Sequence, residues 1–159
     1  MTDIRVKVAD YAVRNSGSVL STIGLGSCVA IALYDQATGV GGLAHVLLPN
    51  EGMSRDRSNR AKFSSTAVPL LIEEMRRIGA KGNLTAKIAG GASMFASLIP
   101  AGGVNMGERN VIATREALRE HGIPIVGEDT GGEHGRSIYF NLRDGAVLIR
   151  SLKAGDLRI

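Results

Sequence analysis

Cysteine, histidine and aromatic residues are scarce in this sequence, and each shortage argues against a class of site. The 159 residues include one cysteine, Cys28, three histidines, three tyrosines, three phenylalanines and no tryptophan. A single cysteine excludes an internal disulfide and argues against a cysteine-based zinc site, and the wide spacing of the histidines argues against other metal sites. The net charge is +4, but 19 basic residues are scattered among 15 acidic ones. With so few rings for base stacking, this pattern argues against nucleic-acid binding.

Long apolar segments are also missing. No stretch approaches the ~20 apolar residues of a transmembrane helix, and Met1–Val6 lacks the apolar core of a signal peptide. We therefore expect a cytoplasmic protein. The hydrophobic content of 44% and the charged content of 21% are typical of globular proteins. The length, without a repeat or linker, predicts a single domain over residues 1–159.

Glycine, by contrast, is abundant: its 21 residues indicate many tight turns or backbone packed closely around a site. Apolar runs of strand length lie between these turns, and two further segments have helical spacing. Because strands outnumber helices and do not alternate regularly with them, the order predicts the α+β class. The predicted strands span residues 4–8, 19–22, 28–34, 40–48, 84–89, 125–128, 137–140 and 146–150.

Two helices are predicted between these strands. Ser64 or Ser65 can cap a helix that ends near residue 78, and Asn105 or Asn110 can begin a second helix that ends at residue 120. The apolar spacing of the first helix predicts a buried stripe of Ala67, Leu70, Leu71, Met75 and Ile78. Ahead of it, the polar segment 51–62 predicts a mobile loop and a candidate lid, and the segment 101–103 predicts a turn.

The runs at 28–34 and 40–48 predict a β-hairpin that brings the cysteine close to a histidine. With an even-numbered loop centred on Gln36–Ala37, residues whose numbers add up to 73 face each other, so that Cys28 lies opposite His45. Directly opposed residues have Cβ atoms roughly 4.5–5.5 Å apart, which suits a contact between a thiol and an imidazole. An odd-numbered loop would place the two side chains on opposite faces.

Cys28 and His45 are therefore candidates for a nucleophile and its base. His45 could lower the pKa of the thiol, and the glycines before Cys28 permit a turn whose N–H groups converge on an oxyanion, with Gly26 and Ser27 as candidates. A third group, either the hydroxyl of Thr22 or a backbone carbonyl, could orient the imidazole. The structural alternatives are an inert buried cysteine and a histidine that is hydrogen-bonded to backbone.

Other conspicuous residues have structural interpretations. His121 lies at the predicted end of the second helix, where a cation suits the helix dipole. His134 lies in a glycine-rich loop that could line the site. Gly90–Gly91 follows a strand but lacks the spacing of a P-loop or a dinucleotide-binding motif, so we predict close backbone packing at this pair.

Five separated motifs cover nearly the whole chain: Thr22–Val29, Ala44–Pro49, Lys87–Phe95, Asn105–Asn110, and Glu128–Gly132 with Gly135–Ser137. In this order they resemble the CheD family, the chemoreceptor glutamine deamidases of bacterial and archaeal chemotaxis. Each motif is weakly specific alone, and the five together are specific. The resemblance implies hydrolysis of receptor glutamine side chains to glutamate through a cysteine thioester, with release of ammonia. Some members are also receptor methylesterases.

The resemblance also implies the parts of the site and its partners. A Cys–His–Thr triad falls here on Cys28, His45 and Thr22, and the chemistry needs no metal or organic cofactor. A sandwich fold is implied, which together with the predicted elements gives mixed, mainly antiparallel β-sheets in layers with two principal helices. The implied partners are the cytoplasmic helices of methyl-accepting chemoreceptors and a CheC-type phosphatase of phosphorylated CheY, without membrane insertion.

Two other functions remain open at the level of sequence. The first is a non-enzymatic regulatory module that binds a CheC-type phosphatase or a receptor helix. The second is a stable domain whose buried Cys28 resists alkylation near neutral pH. An activated thiol would instead react below the ordinary thiol pKa of ~8.5.

Overall fold

The computed structural model describes residues 2–93 and 105–159, which form ten β-strands and two α-helices. The predicted turn at 101–103 lies outside these residues. The helices are α1 (Ser64–Arg77) and α2 (Met106–Glu120). The strands are β1 (Thr2–Arg5), β2 (Tyr11–Arg14), β3 (Ser18–Leu25), β4 (Val29–Asp35), β5 (Gly41–Val46), β6 (Leu84–Gly90), β7 (Ile125–Thr130), β8 (Arg136–Asn141), β9 (Val147–Ser151) and β10 (Gly155–Arg158).

The strands form two sheets of five. The outer sheet has the order β1-β3-β8-β9-β10, and the inner sheet has the order β2-β5-β4-β6-β7. Only the β1–β3 and β6–β7 pairs are parallel among the described strands. The prediction of an α+β fold with mixed, mainly antiparallel sheets and two principal helices is therefore confirmed.

The inner sheet is buried on both faces, which gives the molecule three layers. Because side chains alternate along a strand, Val29, Ile31 and Leu33 of β4 pack in one apolar cluster with residues of α1 and α2. Ala30 and Ala32 point the other way and pack with residues of the outer sheet. We call these two regions the helix–sheet layer and the sheet–sheet layer.

The second helix begins as predicted, whereas the first does not. The Asn105 side chain caps α2 by accepting a hydrogen bond from the backbone N–H of Glu108 at 3.0 Å. The predicted serine cap of α1 is wrong, because its N-cap is Phe63, which makes no side-chain cap bond. The buried Ser64 instead donates its backbone N–H to the carbonyl of Leu48 at 2.9 Å.

The predicted buried stripe of α1 is confirmed at four positions and wrong at one. Ala67, Leu70, Leu71 and Met75 are buried. Ile78 is 39% exposed, because it is the C-cap residue and no longer follows the helical spacing. Gly79, with φ at +113°, follows the C-cap and ends the helix near residue 78, where the end was predicted.

Seven of the eight predicted strands correspond to β3 through β9. The first prediction, 4–8, is wrong over its second half because β1 ends at Arg5. Ala9 has φ at +60°, and this turn carries the chain from the outer sheet into β2 of the inner sheet. The four-residue strands β2 and β10 carry no clear alternating pattern in the sequence and were not predicted.

The β4–β5 hairpin forms, but its register differs from the prediction by two residues. Ala30 lies opposite His45, and Val29 lies opposite Val46, so that Cys28 is not directly opposite His45. The loop has four residues between Asp35 and Val40, where the N–H of Asp35 donates to the carbonyl of Val40 at 2.9 Å. Since the shift is an even number of residues, it leaves every side chain on its predicted face.

The polar segment between β5 and α1 folds into two short 3-10 turns, Glu51–Met53 and Arg60–Lys62. It is largely exposed, as its composition predicts. The carbonyl of Lys62 accepts hydrogen bonds from the backbone N–H groups of Leu47 and Leu48, and the Asn59 amide donates to the carbonyl of Ala9 at 2.8 Å. Its role as a mobile lid stays a prediction. Neither α-helix of the described residues is long and apolar enough to cross a membrane.

Candidate active site

Thr22 and His45 meet in the sheet–sheet layer. Thr22 belongs to β3 of the outer sheet, and His45 belongs to β5 of the inner sheet. The distance between Thr22 Oγ1 and His45 Nδ1 is 2.7 Å. The two residues are 0% and 1% exposed, so water does not compete for this hydrogen bond. The structure thus brings together two of the three residues of the predicted triad.

The other hydrogen bond of Thr22 determines where the imidazole carries its proton. Thr22 Oγ1 donates to the backbone carbonyl of Val6 at 2.6 Å, and a hydroxyl has only one hydrogen to donate. Toward His45 it must therefore act as the acceptor, so Nδ1 carries the hydrogen. In the neutral ring Nε2 is then the basic nitrogen with a free lone pair.

Cys28 lies immediately before β4 and is 9% exposed. It packs on the sheet–sheet side with Ala30, the residue opposite His45. Cys28 and His45 thus share a face, as the even-numbered loop predicts, and are diagonal neighbours. His45 Nε2 is buried and makes no hydrogen bond to any described residue, the thiol included.

In the turn Gly26–Cys28 all three carbonyls accept hydrogen bonds, whereas the backbone N–H groups are not used in the same way. Gly26 accepts from the N–H of Ala92, Cys28 accepts from the N–H of Gly91, each at 2.8 Å, and Ser27 accepts from the side chain of Asn110 at 2.9 Å. None of the three N–H groups of the turn donates to the backbone or side chain of another described residue. A turn with this arrangement can receive an oxyanion.

Gly90 and Gly91 make the anchoring of this turn possible. Their φ angles are +110° and +68°, which favour glycine. A Cβ at Gly90 would collide with the Cys28 carbonyl, and one at Gly91 would collide with Val111 of α2. The predicted close backbone packing is therefore confirmed, and it holds the chain behind Cys28.

The electrostatics of the pair differ from the prediction that His45 lowers the pKa of the thiol. Burial raises the pKa of Cys28, against a smaller lowering by the residue's own backbone N–H. Burial also lowers the pKa of His45 to about 4. Both shifts favour the neutral forms, so the free protein at neutral pH holds a thiol beside a neutral imidazole. The predicted lowering of the Cys28 pKa by His45 is contradicted, because burial raises this pKa and the imidazole makes no hydrogen bond to the thiol.

The other two histidines lie away from this layer. His121 Nδ1 is 2.9 Å from the carbonyl of Ala117 at the end of α2, in agreement with its structural interpretation. His134 lines a cavity with Ile23 and Ser137 on the solvent side of the outer sheet. Within residues 2–93 and 105–159, no three side chains of His, Cys, Asp or Glu are grouped to hold a metal ion.

Sequence reasoning missed two buried polar residues beside the turn. Arg136 pairs with Asp129 at 3.1 Å and also donates to the carbonyls of Asp129 and Gly131, so it closes the glycine-rich loop after β7. Asn110, considered above only as a helix start, is fully buried on α2. An asparagine among apolar positions of a predicted helix was the available signal.

Comparisons with known proteins agree with these motifs. The family model described as CheD chemotactic sensory transduction matches residues 47–151. A protein of Caldanaerobacter subterraneus named probable chemoreceptor glutamine deamidase CheD is 50% identical over 96% of this chain and 94% of its own length. The chemoreceptor glutamine deamidase CheD of Thermotoga maritima is 43% identical over 95% of this chain and 93% of its own. A probable CheD of Pyrococcus horikoshii is 45% identical over 99% and 97%.

Proposed function

The chain belongs to the CheD family, and we propose that it is a chemoreceptor glutamine deamidase in which Cys28 is the nucleophile, His45 the base and Thr22 the residue that orients the base. The observation that carries this proposal is the buried Thr22–His45 hydrogen bond. It leaves a free basic nitrogen, Nε2, on the face that Cys28 shares.

The first half of the reaction forms a thioester. As the Cys28 sulfur attacks the carboxamide carbon of the glutamine side chain, His45 Nε2 takes the thiol proton. The C=O bond becomes a C–O⁻ single bond, and the N–H groups of Gly26, Ser27 and Cys28 are the candidate donors to this oxyanion. The imidazolium returns its proton to the nitrogen as the C–N bond breaks. Ammonia leaves and a γ-glutamyl thioester remains.

The second half releases the product. Neutral His45 takes a proton from water, whose oxygen attacks the thioester carbon. The C–S bond breaks, and the sulfur recovers the proton from His45 as glutamate leaves. A receptor glutamate methyl ester would give the same thioester by expelling methanol, so methylesterase activity needs no additional residue.

Neutral Cys28 and His45 in the free protein are consistent with an enzyme whose thiol becomes reactive only when substrate is bound. Burial opposes charge on both Cys28 and His45, so the proton moves only as the sulfur attacks. The thiol of the free protein should consequently alkylate slowly at neutral pH. This behaviour is also expected of an inert buried cysteine, so alkylation alone does not separate the two functions.

The setting of this reaction is part of the same proposal. We place it in the cytoplasm, on the cytoplasmic helices of methyl-accepting chemoreceptors, with residues 1–159 acting as one domain. The family names support a receptor substrate. Regulation by a CheC-type phosphatase rests on the family resemblance alone, and titration calorimetry of the two purified proteins would test it.

The decisive experiment follows the mass of receptor peptides. Incubation of a chemoreceptor cytoplasmic fragment with the wild-type protein should raise the mass of glutamine-containing peptides by about one dalton, and Cys28→Ala should abolish this gain because no thioester can form. Ser93→Ala is a matched control, since it changes a small side chain just after the Gly90–Gly91 pair and leaves the thiol in place. Full activity of Cys28→Ala would contradict the proposal.

The same experiment separates the enzyme from the binding module. A wild-type protein that binds the receptor fragment and never changes its mass would favour the non-enzymatic function. The fragment should therefore be recovered bound and unbound, and both fractions analysed for conversion of glutamine to glutamate.

A further inference from the structure

We propose that Asn110 is a positioning residue that fixes the Cys28 turn relative to His45, where the β4–β5 ladder no longer does so. The inference rests on the proposed function, because the geometry that it maintains is that of the thiol, its base and the oxyanion turn.

The ladder between β4 and β5 ends just before it reaches the nucleophile. Its last pair is Val29 opposite Val46. The next hydrogen-bonded pair of a continuing ladder would join Ser27 and Leu48. Instead, the N–H of Leu48 donates to the carbonyl of Lys62 at 3.1 Å, and the carbonyl of Leu48 accepts from the N–H of Ser64 at 2.9 Å. The two strands have therefore separated at Ser27, the residue before the nucleophile.

Asn110 of α2 spans this gap. Its Nδ2 donates to the carbonyl of Ser27 at 2.9 Å and to the carbonyl of Leu47 at 3.1 Å. One carbonyl belongs to the residue before the nucleophile, and the other lies two residues after the proposed base. A single carboxamide thus links the two strand ends at the point where the backbone hydrogen bonds between them have stopped.

The orientation of this carboxamide follows from its partners. Two carbonyl oxygens can only accept, so the NH₂ group of Asn110 must face them, and the flipped amide would set oxygen against oxygen. The remaining atom, Oδ1, is buried without a partner among the described residues. The side chain is therefore held by its two donor bonds alone. It connects the Cys28 turn to β5, unlike a core amide whose donors and acceptor are all satisfied.

The bridge has a direct consequence for the chemistry. The Ser27 carbonyl is held toward α2, and the N–H of Cys28, which belongs to the same trans peptide, therefore points away from α2. There it is a candidate donor to the oxyanion. With Leu47 held to the same amide, β5 and its His45 keep their distance from Cys28. A misplacement of reacting groups by about 1 Å can reduce a rate by about 100-fold.

The test compares two buried polar residues on the same face of α2. Asn110→Ala should lower kcat on the receptor fragment by about 100-fold with little change in KM, because binding is kept while alignment is lost. It should also raise the rate of Cys28 alkylation by iodoacetamide about tenfold, since the released turn exposes the thiol. Asn110→Ser, a smaller change, should show both effects if Asn110→Ala fails to fold.

Thr114→Val is the matched control. Thr114 lies one turn further along α2, and its hydroxyl donates to Ser64 Oγ at 3.0 Å instead of to a carbonyl of the Cys28 turn. This variant should lose thermal stability but keep both rates. Unchanged kcat and alkylation in a folded Asn110 variant would overturn the inference, as would equal effects of the Thr114 variant. If the wild type converts no glutamine, the proposed function fails, and the alkylation rates still decide whether Asn110 positions the turn.

Discussion

The two faces of strand β4 differ in the size of their fully buried side chains and in what lies opposite them. In the helix–sheet layer Val29, Ile31 and Leu33 are fully buried against α1 and α2. In the sheet–sheet layer the same strand presents the small Ala30 and Ala32 and, at its far end, the half-buried Tyr34. The small side chain of Ala30 lies opposite the imidazole of His45.

This difference separates stability from chemistry on one strand. The helix–sheet layer buries large apolar side chains, which is the main source of folding free energy. The sheet–sheet layer tolerates a buried imidazole whose Nε2 has no partner among the described residues, an arrangement that costs stability. A nitrogen left unsatisfied in the folded protein is free to accept a proton in the reaction.

The largest effect should come from the helix–sheet layer and should concern stability alone. Leu71 of α1 is 0% exposed, and Leu71→Ala should lower the free energy of unfolding by about 3 kcal/mol, because it removes buried methyl groups and leaves a cavity. Urea unfolding would measure this loss. Deamidation per folded molecule should stay within about twofold of the wild type. A large loss of activity in the folded variant would contradict the assignment of stability to the helix–sheet layer and of chemistry to the sheet–sheet layer.

A second effect should appear as a pH dependence of stability that originates from His45 in the sheet–sheet layer. Burial lowers the pKa of His45 from 6.5 to about 4, so between these pH values the unfolded chain binds a proton that the folded protein does not. Stability from this group is complete above pH 6.5 and is lost as the pH falls toward 4. Between pH 7 and pH 5 the loss should be about 2 kcal/mol.

Histidine variants assign that loss to one ring. Urea unfolding at both pH values should show the fall in the wild type and in His121→Ala, whose histidine lies at the end of α2. His45→Ala should show little of it. A fall of equal size in His45→Ala would contradict the assignment.

The smallest effect should follow from the hydrogen bond between the sheets. Thr22→Val keeps the shape of the side chain but leaves His45 Nδ1–H without its acceptor, so the ring is less well held in the reactive tautomer. We expect a fall in kcat of about tenfold, or about 1.4 kcal/mol in transition-state free energy. Thr22→Ser retains the hydroxyl and should be close to the wild type. Similar rates for the two variants would remove Thr22 from the mechanism.

Local sequence rules predicted the secondary structure and one important relation within the site. The even-numbered loop correctly placed Cys28 and His45 on one face. The register was wrong by two, because Asp35 closes the loop around Ala37–Thr38. A strand pattern repeats every two residues, so it cannot distinguish registers that differ by two.

Contacts that depend on packing between layers were beyond local rules. Thr22 contacts His45 only because the two sheets stack at one spacing. The sequence offered Thr22 as a nearby hydroxyl and through the family resemblance, but no local rule placed it against the imidazole. Asn110 reaches the site from a helix more than 60 residues after His45. The raised thiol pKa could not be foreseen either, since it depends on how deeply Cys28 is buried.

The hydrogen bond between Thr22 and His45 joins strands that belong to different sheets. The length of this bond therefore depends on the spacing between the sheets, and through His45 the catalytic rate depends on it as well. The bond is 2.7 Å long, so an increase of about an ångström in the spacing between the sheets would lengthen it beyond the usual range. A protein that bound the solvent side of the outer sheet and changed this spacing would then change the catalytic rate without contacting the thiol.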